Sequence, residues 1–301
     1  MTEQKSLERI AQDKDRSRRI RLVATDMDGS FLDGSGRVSE RNARAVKGLL
    51  QAGIKFAVCT GRSFREAKGP LLEAGISCDM IAMNGAAVLD GSGGVKREYV
   101  LAREKLGEIL DAVEPWKDRL IVQMVTGEGE YILAEETLFR HFFSTRIFPE
   151  RERSPEEEEA LFQAYFRVGR EEFLKKDRKC FKAVTLSEDT QLIKDIKGPL
   201  TAVGGVCVAA SFPTNWEVTH EKASKGAGLK AYIEESGLKL WEVMAFGDGD
   251  NDRTMLSLPL GWSVAMGNGG EYLKEAAQVI TGANTEDGFA QAVEVLLAGR
   301  K

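Results

Sequence analysis

The stretch Ile20-Arg21-Leu22-Val23-Ala24-Thr25-Asp26-Met27-Asp28-Gly29-Ser30 decides how the rest of the chain is read. A short apolar run rich in β-branched residues is the pattern of a strand buried in a parallel sheet. It runs straight into two acids separated by one residue. In an open parallel sheet, the carboxyl ends of strands are where sites form. Asp and Gly are also turn formers. Yet two carboxylates left together at a sheet edge repel unless a cation or a proton lies between them. Both readings of Asp26 and Asp28 stand at this point.

Downstream the same grammar repeats. Ser39 is placed to cap a helix running to about Ala52, with Gly53 at its end. Lys55 to Cys59 reads as a second strand, Arg65 to Ala74 as a helix interrupted at Gly69-Pro70, and Met80 to Met83 as a third strand. Strand, helix, strand, helix, strand is a pair of βαβ units, hence a parallel sheet. The end of the chain returns to it. Helices are expected at Ser224 to Glu235, Asn251 to Leu256, Glu271 to Ala277 and Glu286 to Ala298, with strands at Val243 to Phe246, Trp262 to Ala265 and Gln278 to Thr281.

The middle reads differently. Ala87 to Val100 carries two short strands around Asp90-Gly91-Ser92-Gly93-Gly94, a hairpin signal. Strands are expected at Leu120 to Val125, Tyr131 to Ala134, Phe181 to Leu186, Gly205 to Ala210 and Asn215 to Thr219. The acidic run Glu156 to Glu159 leads into a helix reaching Arg167, read as a solvated face. The expected division is a charged extension over residues 1–19, disordered, an α/β core over 20–86 and 221–301, and an inserted α+β unit over 87–220.

A second acidic cluster, Gly247-Asp248-Gly249-Asp250-Asn251-Asp252, follows the apolar run Val243 to Phe246. An EF-hand starting at Asp248 needs Gly at its sixth position and Glu at its twelfth. Arg253 and Pro259 stand there, so that reading fails. If Asp26 and this cluster lie on adjacent strand ends, their carboxylates converge on one Mg²⁺, a hard ion suited to phosphate chemistry. Thr60-Gly61-Arg62 follows the second strand and offers a hydroxyl and backbone N–H groups, though Thr60 also suits a helix cap. Lys225 sits near a helix start, where anions are favoured, though a surface lysine is the plainer reading. Asn84 ends the third strand, as a substrate contact or a hinge. Arg62 meets either a substrate group or a partner in an ion pair.

Taken in order, these segments resemble the haloacid dehalogenase (HAD)-like hydrolase superfamily, and within it the Cof-type (type IIB, C2-capped) phosphatases. Asp26 to Ser30 matches the family's DxDG[T/S] motif, and Thr60-Gly61-Arg62 the second motif. Lys225 matches the third, and Gly247 to Asp252 the fourth, GDxxND. Ala265-Met266-Gly267-Asn268 and Asn284-Thr285-Glu286-Asp287-Gly288 match its C-terminal pattern. Ser30 replaces the commoner Thr and keeps the hydroxyl; Gly269-Gly270 replaces a commoner Ala. The resemblance implies a Rossmannoid α/β core with a mainly parallel six-stranded sheet and an inserted α+β cap that selects the substrate. It implies that Asp26 is the nucleophile and Asp28 the general acid and base. Thr60, Gly61, Asn84, Lys225 and Asn251 would hold phosphate or substrate. Mg²⁺ would be bound by Asp26, the main-chain carbonyl of Asp28, and Asp248, with Asp252 acting directly or through water or Lys225. The implied activity is hydrolysis of a small phosphorylated metabolite, a sugar phosphate or phosphorylated cofactor. Its rivals are a phosphomutase on the same scaffold and a phosphate-sensing binding module.

Composition narrows the field. The chain has 301 residues, 42 Lys and Arg against 47 Asp and Glu, and a net charge of -5, so no basic excess holds nucleic acid. Two histidines exclude a His-rich metal site, and four cysteines without CxxC spacing argue against a zinc ribbon or a disulfide framework. The first nineteen residues lack the apolar region of a secretory signal. No stretch approaches the roughly 20 apolar residues of a membrane span. A cytoplasmic monomer or homodimer without membrane contact is the expectation.

Overall fold

The computed structural model describes residues 5–147, 154–163 and 165–300. Before the insertion run β1 (Leu22–Thr25), β2 (Lys55–Cys59), β3 (Asp79–Ala82), β4 (Ala87–Leu89) and β5 (Val95–Glu98). Then come β6 (Ile121–Thr126), β7 (Glu130–Leu133), β8 (Phe166–Arg167), β9 (Cys180–Leu186), β10 (Val206–Ala209) and β11 (Asn215–His220). The last three are β12 (Val243–Gly247), β13 (Trp262–Ala265) and β14 (Val279–Ile280). The chain divides into two compact units, one made of the residues up to Glu98 with those from Ala223, the other Tyr99–Lys222.

The first unit holds one sheet in the order β14-β13-β12-β1-β2-β3-β4-β5. The six strands from β14 to β3 are parallel, as expected. Every residue of β1 is buried, which is why its sequence is apolar without alternation. From β1 the chain builds outward through β2 and β3 on one side; the returning chain adds β12 on the other. Leu22 therefore pairs with both Val243 and Lys55, and the carboxyl ends of β12, β1 and β2 lie side by side. This is a point of reversal in strand order, the usual place for a site in such a sheet.

Local signals were mostly decisive. Ser39 caps the helix Glu40–Gln51 by accepting from the Asn42 N–H, and Gly53 takes φ +72° just beyond it. Ser63 and Glu66 form a reciprocal capping box on the helix Phe64–Glu73. That helix runs through Pro70 without the expected interruption. Pro70 has no N–H for the Glu66 carbonyl, which accepts instead from Arg62 Nη1 at 3.4 Å.

Two expected boundaries move. The Asp90-to-Gly94 turn does join two strands, but they extend the first unit's sheet, not the inserted one: Ile81 pairs with Val88 and Ala82 with Ala87, antiparallel. β4 is wholly buried, so it needs a sheet neighbour on each side, whereas β5 is partly exposed and blunts the edge with Lys96 and Arg97. Asp79 fastens the hairpin by accepting from Gly91 N (3.2 Å), Lys96 Nζ (2.8 Å) and Tyr232 Oη (2.9 Å). The inserted unit thus runs Tyr99–Lys222, not 87–220.

The charged N-terminal extension is not disordered over its described residues. It forms helices Glu8–Gln12 and Lys14–Arg19, the second capped by Asp13. Ile10 is fully buried. Lys5 O accepts from Ile280 N at 2.7 Å, covering the edge of β14. Arg16 lies 4.1 Å from the centre of the Trp262 ring and donates to Gln278 Oε1 at 2.8 Å. Arg300 Nη1 donates to the carbonyls of Ser17, Arg18 and Ile20. Aliphatic stems and fixed donors of charged residues do here what apolar residues do elsewhere. Residues 1–4 of that expectation lie outside the described residues.

The second unit has a six-stranded sheet ordered β10-β11-β9-β6-β7-β8, antiparallel except for β7 with β8. The helices Arg103–Val113 and Thr190–Ala202 bury Leu106, Ile109, Leu192 and Ile196 against Val122, Met124, Ala183 and Val218. The acidic helix spans Pro155–Phe162 and stops short of the expected Arg167, because Phe166 and Arg167 pair with β7. Among the described residues, no helix is long and apolar enough to cross a membrane.

Because Ile10 is fully buried, Ile10→Ala is expected to lower unfolding free energy by about 2–4 kcal/mol, the usual cost of such a truncation. Urea unfolding measures it. An unchanged midpoint would mean that residues 5–19 do not dock.

Candidate active site

Asp26 continues β1 by one residue: its N–H still donates to Phe246 O at 3.0 Å, so the sheet ladder fixes its backbone. Its side chain is buried, and Oδ1 accepts from Lys225 Nζ at 2.5 Å. The same ammonium donates to Asp252 Oδ1 at 2.7 Å. Lys225 is the first residue of the helix Lys225–Glu235, whose cap Ser224 accepts from Ala227 N. It is 1% exposed, so the surface-lysine reading fails.

Asp252 is fully engaged. While Oδ1 faces Lys225, Oδ2 accepts from the N–H groups of Asp248 and Gly249, both at 3.0 Å. It therefore shapes the loop after β12 and turns Asp248 toward Asp26. Asp248 Oδ1 accepts from Ser30 Oγ at 2.8 Å. Oxygens of Asp26, Asp248 and Asp252 all lie within 4.8 Å of one another. Gly29 makes this approach feasible. It has φ +75°, and a Cβ there would stand 2.3 Å from Asp248 Oδ2.

The charges explain the strain in this cluster. Burial pushes the Asp26 carboxyl well above its ordinary pKa; Lys225 pulls it back, and Asp252, Asp248 and Asp28 push it further up. Asp248 is pushed up to about 6, chiefly by burial and then by Asp252, against the hydrogen bond from Ser30. Burial alone would lower the Lys225 pKa, but the two carboxylates outweigh it and hold it above its ordinary value. Three neighbouring carboxylates share one ammonium. An all-oxygen donor set with excess negative charge fits a hard divalent cation, and among first choices Mg²⁺.

Asp28 stands apart from that network. Its carboxylate accepts twice from Arg62, with Nε to Oδ2 at 2.8 Å and Nη2 to Oδ1 at 2.5 Å. Burial pulls the Arg62 guanidinium down, but Asp28 more than compensates and raises it. The ion-pair reading of Arg62 describes this arrangement.

Thr60 extends β2 by donating its N–H to Ile81 O at 2.8 Å, and its Oγ1 accepts from Arg62 N at 3.1 Å across Gly61. Met83, Asn84 and Gly85 then take three successive positive φ angles, 51°, 54° and 88°. Non-glycine residues so placed cost roughly 1–3 kcal/mol each and persist only where neighbours hold them. Here Met83 N donates to Arg62 O and Asn84 N to Thr60 O, both at 3.0 Å, and Asn251 Nδ2 donates to Asn84 Oδ1 at 3.3 Å. At Gly85 a Cβ would stand 2.2 Å from Ser224 O, so only glycine lets the Lys225 helix start this close. Asn84 is a buried brace between the ends of β2 and β12.

All the sequence-predicted site residues thus lie at one edge of the first unit's sheet, in linked groups. Asp26, Asp248, Asp252 and Lys225 form one; Asp28 pairs with Arg62; Thr60, Asn84 and Asn251 form a chain. Sequence reasoning missed the bracket around the Asp28 loop. Asn268 donates to Gly29 O at 2.8 Å and accepts from Asn284 N at 2.9 Å, and Asn284 donates to Leu32 O at 2.8 Å. The signal was in hand: each asparagine lies within three residues of a strand of the same parallel sheet or of the turn beyond it. Cys59 is buried, and burial pushes its thiol up, consistent with a small packed side chain.

Known proteins are similar to this chain along most of its length. Phosphatase YwpJ of Bacillus subtilis is 26% identical over 291 residues, covering 92% of this chain and 100% of the relative. An HMP-PP phosphatase of Yersinia pseudotuberculosis is 27% identical over 263 residues, covering 85% of this chain and 86% of the relative. A solved haloacid dehalogenase-like hydrolase from B. subtilis superposes with a TM-score of 0.79 at 24% identity, over 91% of this chain and 99% of that one. A family model for haloacid dehalogenase-like hydrolases matches residues 23–293. With its acids at the ends of β1 and β12 and its lysine between them, the chain belongs to the haloacid dehalogenase-like hydrolases.

Proposed function

We propose that this protein is a Mg²⁺-dependent phosphatase that hydrolyses phosphomonoesters of small metabolites through an aspartyl-phosphate on Asp26. The observation that carries the reading is the buried Asp26 carboxylate, held by Lys225 beside Asp248 and Asp252 at the end of the central strand. One oxygen of Asp26 attacks phosphorus while the ester oxygen departs, taking a proton from Asp28. Water then attacks the same phosphorus, Asp28 takes its proton, and the bonding pair returns to Asp26, releasing inorganic phosphate. Lys225, Thr60, Asn251 and the N–H groups around Gly61 stabilise the phosphoryl oxygens as charge shifts onto them. Asn84 holds Asn251 in place.

Asp26, the Asp28 carbonyl and Asp248 would hold Mg²⁺. Both oxygens of Asp252 accept from N–H groups and each keeps a lone pair; it would serve directly, or through water, Lys225 and the loop it shapes. When bound, the cation offsets carboxylate repulsion and phosphoryl charge.

The names of the relatives support the substrate class in this reading. Their names specify HMP-PP and 5-amino-6-(5-phospho-D-ribitylamino)uracil, both small phosphorylated molecules. A structural neighbour is a sugar phosphatase of subclass IIB. We assign the choice of leaving group to the unit Tyr99–Lys222, following the same resemblance.

The first test is phosphate release from sugar phosphates, FMN, pyridoxal phosphate and p-nitrophenyl phosphate, with and without Mg²⁺. Release should require Mg²⁺ and fall at least about 1,000-fold in Asp26→Asn, the scale on which nucleophile loss acts. Product isomers retaining phosphate, with no free phosphate, would select the phosphomutase instead. A finer test concerns Ser30, which orients Asp248. Ser30→Ala should raise the Mg²⁺ concentration for half-maximal rate about tenfold, as losses of ligand-orienting bonds do, with little change in kcat at saturating Mg²⁺. An unchanged Mg²⁺ titration would remove Ser30 from that role.

A further inference from the structure

Asp28 must give a proton and then take one in the proposed reaction, and one neighbour governs where its carboxyl sits. Arg62 grips both carboxylate oxygens in the two-pronged geometry that a guanidinium makes with an accepting carboxylate. The arm behind that grip is stiff. Arg62 N donates to Thr60 Oγ1, Arg62 O accepts from Met83 N, and the third guanidinium nitrogen reaches the Glu66 carbonyl that Pro70 leaves open. On the other side, the Asp28 loop is anchored by Asn268 on Gly29 O and by Asn284 on Leu32 O.

Arg62 offers only donors. An accepting carboxylate oxygen keeps a second lone pair, so it can hold an arginine N–H and still take a proton from water. A protonated Asp28 carries its O–H on that second lone pair, free to face the place that the ester oxygen and the attacking water occupy in turn, so both bonds from Arg62 can persist. Resting on the reading above, we propose that Arg62 is a positioning residue that holds the Asp28 carboxyl toward the reacting oxygen in both half-reactions. In the first half-reaction Asp28 gives its proton to the departing ester oxygen from this grip, and in the second it takes one from water. In the second half-reaction a P–O bond forms from water and the Asp26–phosphorus bond breaks. The water proton goes to Asp28 and then to solvent.

The consequence is a selective defect. p-Nitrophenolate is a good leaving group and needs no proton, so its departure reports phosphoenzyme formation alone. In Arg62→Met, rapid-quench kinetics with p-nitrophenyl phosphate should show a first turnover within about twofold of wild type. Dephosphorylation should then slow about tenfold, within the range that general-base catalysis supplies. A burst near one p-nitrophenolate per chain and acid-trapped phosphoenzyme would follow. Arg62→Lys, which keeps the charge without the fork, should fall between the two. In an Asp28→Asn background, Arg62→Met should add nothing further, since its effect passes through Asp28.

Three results would overturn the proposal. One is a KM raised for every ester with no burst, which would make Arg62 a substrate contact. Another is an equal loss from Arg62→Met with Asp28 present or absent. The third is Arg62→Lys matching wild type in dephosphorylation; this arm decides the matter should Arg62→Met not fold. A wild-type enzyme that never yields acid-trapped phosphoenzyme, and loses nothing in Asp26→Asn, would instead sink the parent reading.

Discussion

The structure depends on a charge that has been placed where it is least comfortable. Asp26 sits at the end of a strand with no exposed residue, among three other acids, and a single buried lysine stands against it. At a typical effective dielectric, two unit charges about 4 Å apart interact by roughly 4 kcal/mol. One ammonium set against Asp26, Asp248 and Asp252 can balance the pair energies but leaves the cluster with net negative charge. The fold tolerates the arrangement because the backbone is held independently of it. The β1 ladder fixes Asp26, two main-chain N–H groups and the Lys225 ammonium satisfy Asp252, and Ser30 satisfies Asp248. What remains unbalanced is negative charge in a water-poor corner. Such a corner suits a divalent cation, the group that the proposed function places there.

Topology does the assembling. The chemistry-bearing segments Asp26 to Ser30, Thr60 to Arg62, Lys225 and Gly247 to Asp252 lie far apart in sequence, yet β12, β1 and β2 lie side by side. Close approach is then set by a few backbone positions. Gly29 lets Asp248 in, and Gly85 lets the Lys225 helix start against the end of β3. The left-handed run Met83 to Gly85 ties that end to Thr60 and Asn251. The Phe31 ring packs on Phe56 and Phe289, with centroids 5.3 and 4.9 Å away, so the loop that starts at Asp26 is also nailed at its far end.

The parallel strands and the acids at their ends were legible because strands buried on both faces read as unbroken apolar runs, and the acids interrupt them. Which sheet a hairpin joins was not legible. The turn Asp90 to Gly94 has the same chemistry whichever sheet it joins, and only Asp79 and the burial of β4 decide it. The N-terminal helices were missed for a related reason. Their docking uses Arg16, Arg300 and Lys5 on main-chain carbonyls and ring faces, and composition counts those residues as solvent-seeking. Arg62 was legible as a residue of interest but not as a partner of Asp28. Their meeting depends on β2 lying next to β1 and on a carbonyl exposed by Pro70, and neither is written in local sequence.

Under the proposed reaction, the two aspartates differ in a way that matches the tasks assigned to them. A nucleophile has one target and gains from being immobile; Asp26 is 4% exposed and belongs to the sheet. An acid that becomes a base has two successive partners and must be able to change contacts. Asp28 has a side chain 42% exposed and lies in a bend beside Gly29, while both ends of that bend are fixed by Asp26 and Phe31. The loop is therefore rigid as a whole and adjustable at one residue. A site built with both aspartates in the sheet would hold its acid too firmly to exchange partners. With both in the loop it would lose the in-line approach that an immobile nucleophile secures.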